Sequence, residues 1–398
     1  MGPLLYITAL ALLANISTTL ANPIQQEPQS SRPSDSVANC VDYKISLTVT
    51  SENLVINTPQ WKNDFELIDY LQNSSAKNAN VTFHPIGPTT INVTESVSIA
   101  ATFCSPKTPS ASKQDREKTV LITSSGLAYD SRYWDSEYNP SKYSFVEAAV
   151  AQGYSVFNYD RLGVGQSQKV SGWTNQASIQ VEILASLIQL VRNGNYTGPV
   201  GKAKSIVAVG HSFGSQITNV LLTKYPSIVD AAILTGDAYE SIPYGGALLE
   251  ETIEPRIANQ LDPKIFGELD TGYLTFVDIY AHVNFFFKAP FYEISAVQYA
   301  QSIAQPFALL EFLSTAAYSL KAPEYEGSLF MMAGEFDIPA CLGDCVNTFR
   351  TQNLTEMFPK SRLIDTYILP GAGHGVNFAS NVGEYYGETW GFLKKAGF

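Results

Sequence analysis

From residue 119 onward, short apolar runs alternate with longer amphipathic ones. Residues 120–123, 154–159, 206–209, 231–235, 329–333 and 363–369 read as buried strands. Residues 177–192 read as a helix, because Ile179, Ile183, Leu187 and Val191 recur at four-residue steps on one face. Residues 143–152 and 216–225 also suit helices, stopped by Gly153 and Pro226. Strands alternating with helices predict an α/β fold: a mostly parallel sheet with helices on both faces. Before residue 119 the period changes to two. Residues 43–49, 81–84 and 97–103 alternate as half-buried strands do, so 39–118 is expected to form a small β-rich N-terminal extension and linker. The alternation breaks again over 238–326, which is helix-leaning and aromatic, with Phe285, Phe286, Phe287, Phe291 and Tyr292 at its middle. This stretch is read as a cap inserted into a catalytic domain that covers 119–398.

Composition narrows the setting. Apolar residues make up 45% and charged residues 16%, enough for a sizeable core. A net charge of −12 argues against nucleic acid or an anionic membrane surface as partner. Residues 1–21 read as a signal peptide, with an apolar run at 4–14 and small residues at Thr19, Leu20 and Ala21. The run is shorter than the roughly 18 residues needed to span a bilayer, so no stable membrane anchor is expected. Residues 22–38, rich in Pro, Ser and Gln, read as a flexible leader. A secreted, extracellular chain also fits five glycosylation sequons, at Asn73, Asn80, Asn92, Asn195 and Asn353. The four cysteines allow three pairings. Cys40–Cys104 and Cys341–Cys345 are expected, because each pair sits in its own region. His84, His211, His282 and His374 show no metal-ligand spacing beside the cysteines. His84 reads as an ordinary strand residue and His282 as a packed one.

The candidate chemistry lies at strand ends. The 206–209 run leads into Gly210-His211-Ser212-Phe213-Gly214 and then a helix. Strand, G-x-S-x-G, helix is the setting of a nucleophile elbow, in which small residues two before and two after the serine permit a tight turn. The motif alone is weak. Other residues at strand ends strengthen it. Glu335 and Asp337 follow the 329–333 run, Asp237 follows 231–235, and His374, flanked by Gly373 and Gly375, follows 363–369. A serine nucleophile needs a base near neutral pKa, and the imidazole needs a carboxylate to orient it. Ser212 is the candidate nucleophile and His374 the candidate base, with Asp337, Asp237 and Glu335 as candidate acids.

These residues, together with the Asp160-Arg161-x-Gly163-x-Gly165-x-Ser167 signature, give residues 119–398 a resemblance to α/β-hydrolases with an inserted cap. The chain is similar to the broad branch of secreted, fungal-type serine hydrolases. The resemblance implies Ser212 as nucleophile, His374 as base and Asp337 ahead of Asp237 and Glu335 as acid. It places one oxyanion donor on the backbone N–H of Phe213 and the other at Leu127, in the loop after the first parallel strand. Ser125-Gly126 stands where many relatives carry His-Gly. The Asp160 signature reads as a structural turn with Asp160 and Arg161 as a local ion pair. The activity implied is hydrolysis of a carboxylic ester through an acyl-enzyme, on a small-molecule, apolar acyl substrate, with no metal or organic cofactor. Two other readings stay open: peptidase, lyase or acyl-transfer and cyclisation chemistry at the same triad, and a binding protein that kept the fold without catalysis.

Overall fold

The fold is described from a computed structural model, which covers residues 25–26, 36–108, 115–239, 252–315 and 317–398. The expected signal peptide lies outside these residues, as do most of the leader, residues 109–114 of the linker and residues 240–251 at the start of the cap.

The strands are β1 (Gln25–Gln26), β2 (Ala38–Ile56), β3 (Ile86–Pro106), β4 (Thr119–Ser124), β5 (Ser155–Tyr159), β6 (Ser205–His211), β7 (Ala231–Thr235), β8 (Arg256–Ile257), β9 (Tyr273–Thr275), β10 (Phe307–Ala308), β11 (Ser328–Gly334) and β12 (Leu363–Leu369). Nine form the main sheet in the order β1-β2-β3-β5-β4-β6-β7-β11-β12. The six from β5 to β12 run parallel, and β1, β2 and β3 are antiparallel at one edge. The five inner parallel strands are almost wholly buried because both faces are covered, whereas β12, expected to be buried, is the edge strand and is mostly half-buried, with Asp365 and Thr366 in it. In β6, Ile206 and Ala208 face a core closed by the helices Ala177–Arg192 and Phe213–Lys224. Val207 and Val209 face the opposite core, closed by the helices Phe145–Ala151 and Val382–Lys395. Full burial of an Ile or Leu of this kind contributes about 1.5–3 kcal/mol.

The N-terminal region belongs to this sheet and is not a layer packed on it. β2 and β3 form a long hairpin, and β3 pairs with β5. Cys40 and Cys104 are direct cross-strand partners in that hairpin and are disulfide-bonded. Between β2 and β3 the chain leaves the sheet and forms the helix Asp64–Ser74, capped by Asn63. This excursion reaches the cap: Trp61 Nε1 donates to the Thr271 carbonyl at 2.7 Å, and the Ile257 N–H donates to Asp64 at 2.9 Å.

Three local expectations are corrected. Residues 81–84 are not a strand. Their alternation is interrupted by the helical turn Ala79–Thr82, and His84 lies beyond it. Residues 143–152 divide into two short helices, Pro140–Tyr143 and Phe145–Ala151, because Ser144 is extended and caps the second. The helix-leaning cap also carries β8, β9 and β10, which form a small antiparallel sheet in the order β10-β9-β8. Asp160 and Arg161 do not pair. Asp160 accepts backbone N–H groups of Ser131 and Gln166, and Arg161 turns away from it.

Candidate active site

β6 ends at His211, and the helix Phe213–Lys224 begins two residues later. Ser212 makes the turn with φ 53° and ψ −120°, a sparsely populated conformation for a residue with a side chain. The turn needs bare backbone on either side. A Cβ on Gly210 would fall 2.5 Å from the Gly214 carbonyl oxygen, and one on Gly214 would meet the Ser124 carbonyl. β7 pins the elbow: the Ser212 N–H donates to the Thr235 carbonyl at 2.8 Å, and Ser215 Oγ donates to the same oxygen at 2.9 Å. Phe213 is the first residue of the helix, so its N–H is an end donor without an intrahelical acceptor.

β11 delivers Asp337 as the cap of the short helix Ile338–Cys341. β12 leads through Gly371 to His374. The two side chains, both wholly buried, meet: His374 Nδ1 lies 2.9 and 2.8 Å from the two Asp337 oxygens. A carboxylate only accepts, so Nδ1 carries the hydrogen, and in the neutral ring Nε2 then holds the lone pair. Among the described residues, the buried Nε2 has no hydrogen-bond partner. The Cys341–Cys345 disulfide fastens the end of the helix that Asp337 caps, and the Cys345 N–H donates back to the Glu335 carbonyl at 3.2 Å.

The other candidate acids do different work. Glu335 accepts the Gly371 N–H at 2.7 Å and so braces the loop that leads to His374. Asp237 is buried, and among the described residues it accepts only the adjacent Ala238 N–H, through Oδ1, while Oδ2 has no partner. Burial, and then the nearby Asp337 charge, push its carboxyl up to about 7.

His211 lies beneath the elbow, stacked 4.4 Å from the Tyr133 ring and 4.8 Å from that of His374. Thr235 Oγ1 donates to the Gly210 carbonyl, so the 3.1 Å bond to His211 Nδ1 is donated by the ring. Burial, and then the neighbouring His374, hold His211 well below the usual histidine range, and it stays neutral.

The loop after β4 passes beside the elbow: a Cβ on Gly126 would lie 3.0 Å from Ser212 Cβ, and Leu127 follows it, partly buried. The cap holds this loop. The Gln305 N–H donates to the Ala128 carbonyl at 2.8 Å. Tyr129 OH lies 2.7 Å from Nε2 of the buried His282, whose Nδ1 lies 2.7 Å from Gln301 Oε1. The cap also roofs the histidine. The rings of Phe285 and Phe286 are each 5.4 Å from that of His374, and the Phe286 carbonyl accepts the Gly375 N–H at 2.7 Å. Sequence reasoning picked out Ser212 at the turn and both members of the His374–Asp337 pair. It did not find these ties, because nothing in the local pattern links residues so far apart in the chain.

Of the sequons, Asn73, Asn92 and Asn353 are exposed. Asn195 is half-buried, and Thr197 of its sequon is wholly buried and bonded to the Gly194 and Gly201 carbonyls. The side chain of Asn80 lies outside the described residues. Among the described residues no helix is long and apolar enough to cross a membrane.

The profile of the Alpha/beta hydrolase family matches residues 120–386, more than half of the chain. The chain belongs to the alpha/beta hydrolase family. Three solved structures show how its family fold compares. A putative non-heme bromoperoxidase, BpoC, from Mycobacterium tuberculosis H37Rv is 15% identical over 76% of this chain and 97% of its own, with a TM-score of 0.50. The alpha/beta hydrolase GrgF from Penicillium sp. sh18 is 16% identical over 75% and 94%, with a TM-score of 0.50. A thermophilic esterase from Thermogutta terrifontis is 14% identical over 76% and 95%, with a TM-score of 0.49. At these identities the likeness is one of fold. No curated protein matches the sequence.

Proposed function

We propose that this alpha/beta hydrolase is a secreted serine hydrolase of carboxylic esters, with Ser212 as nucleophile, His374 as base and Asp337 as orienting acid. The observation that carries the reading is the state of His374. Its Nδ1 is fixed by both Asp337 oxygens, its Nε2 is buried without a hydrogen-bond partner among the described residues, and its ring lies 4.8 Å from that of His211, the residue just before Ser212, which is held at positive φ. In the reaction Nε2 takes the Ser212 hydroxyl proton while Oγ attacks the ester carbonyl carbon. The tetrahedral oxyanion is received by the backbone N–H groups of Phe213 and Leu127. Collapse expels the alcohol, which takes the proton from His374, and water attacks the acyl-enzyme by the same route. Phe285 and Phe286 over the histidine support a small, apolar acyl group as substrate. Two disulfides support an oxidising, extracellular destination.

The test is a 4-nitrophenyl ester series of increasing acyl length on the wild-type protein and on Ser212→Ala. Turnover and fluorophosphonate labelling are expected in the wild type, and both should vanish in the variant with its melting transition retained. Turnover retained by Ser212→Ala, or a wild-type protein that neither turns over nor labels, would overturn the proposal.

A further inference from the structure

Arg161 is wholly buried, yet every guanidinium nitrogen has a partner. Nε donates to the Ser125 carbonyl and Nη2 to the Gly126 carbonyl, each at 3.1 Å. Nη1 donates to Glu311 Oε1, from the cap insertion. The guanidinium carbon lies 4.9 Å from the centre of the Phe213 ring. Glu311 is wholly buried too, and accepts Gln180 Nε2 at 2.9 Å and the Ala308 N–H at 3.3 Å. Burial pushes the Glu311 carboxyl up, and Arg161 opposes the shift.

A buried ion pair roughly breaks even against an apolar pair of the same size, so packing alone gives this arrangement no purpose. Its geometry does. A guanidinium is a planar fork that holds two acceptors in fixed directions, which a point charge cannot do. The Gly126 carbonyl and the Leu127 N–H belong to one trans peptide and point in opposite directions. Fixing the carbonyl therefore fixes the N–H. That peptide lies against the elbow, since a Cβ on Gly126 would fall 3.0 Å from Ser212 Cβ.

We propose that Arg161 is a positioning residue that holds the Gly126–Leu127 peptide so that the Leu127 N–H faces the oxyanion formed at Ser212, with Glu311 of the cap holding the fork. The inference rests on the serine hydrolase reading above. Phe213, the other donor residue, packs its ring on the same guanidinium, so both donors are referenced to one buried cation. The cap insertion is thereby tied to the rate of the chemical step.

The experiment compares 4-nitrophenyl butyrate with its thiono analogue, in which sulfur replaces the carbonyl oxygen. Sulfur is a poor hydrogen-bond acceptor, so an aligned donor pair favours the oxygen ester. Arg161→Lys keeps a cation against Glu311 but loses the fork. For the oxygen ester kcat should fall about 100-fold with KM changed by less than about twofold, and the oxygen-to-thiono preference should fall by about tenfold or more. Glu311→Gln should move kcat and the preference in the same direction by a smaller factor. A folded Arg161→Lys protein with the wild-type preference would overturn the inference, even if kcat fell, because a purely structural role lowers both esters alike. Should Arg161→Lys fail to fold, Glu311→Gln decides, and unchanged kcat with unchanged preference overturns it. A wild-type protein without turnover or fluorophosphonate labelling overturns the hydrolase reading and this inference together, whereas an active wild type with an unmoved preference overturns this inference alone.

Discussion

Asp237→Asn separates the two buried carboxyls near His374. Asp237 has one oxygen on the Ala238 N–H and the other without a partner, and it sits in the field of Asp337. Its carboxyl is raised from 3.8 to about 7, with burial as the larger cause. The sign follows from proton counting. Between those two values the folded chain holds a proton that the unfolded chain has released, so stability is greatest below pH 3.8 and is lost as pH rises toward 7. Three units at about 1.4 kcal/mol each put the loss at about 4 kcal/mol by pH 8. Asparagine has no such term. It introduces an amide N–H₂ where Oδ2 had no partner, a pH-independent penalty of about 1–3 kcal/mol. The decisive quantity is therefore the difference between the two proteins as a function of pH. Urea unfolding at pH 4 and pH 8 should show Asp237→Asn gaining about 3–4 kcal/mol on the wild type between the two values. A stability difference that does not change with pH would refute the reasoning, since Asp237 would then ionise as an exposed carboxyl does. Activity provides the second arm. Asp337→Asn presents the wrong partner to His374 Nδ1 and should lower kcat by about 10⁴. Asp237→Asn should keep kcat within about tenfold, because that ring nitrogen is already bonded to Asp337.

His282 and the disulfides give further tests. His282, buried against Tyr129 and Gln301, is lowered to about 4, mainly by burial. Its share of stability is therefore fully present above pH 6.5 and lost as pH falls toward 4, by up to about 3 kcal/mol. His282→Gln should flatten that part of a urea-unfolding pH profile, and an unchanged slope would contradict the assignment. The Cys40–Cys104 bond spans a sequence separation of 64 and the Cys341–Cys345 bond one of 4. Chain entropy makes the first worth about 4 kcal/mol and the second about 2. Paired Cys→Ser replacement should lower the urea midpoint more for the first pair. Loss of activity, however, should follow the second, which fastens the end of the helix that Asp337 caps.

The sequence by itself determined the parallel half of the sheet, the elbow and the three strand ends that bear Ser212, Asp337 and His374. These are local facts: an apolar run buried on both faces, a glycine-bracketed turn, and a polar residue just past a strand. It also pointed to both cysteine pairs, because each pair lies within one region of the chain. Tertiary structure decided what local pattern cannot encode. The alternation at 81–84 yielded to a helical turn, and the β-rich N-terminal segment became an edge of the main sheet because β3 found β5. Asp337, rather than Glu335 or Asp237, met His374 because only contact in space distinguishes three carboxylates that all follow strands. Arg161 is the clearest case. Its neighbour Asp160 was the obvious partner in sequence, but a buried guanidinium needs acceptors on every nitrogen, and the fold supplied them from the loop after β4 and from Glu311 in the cap.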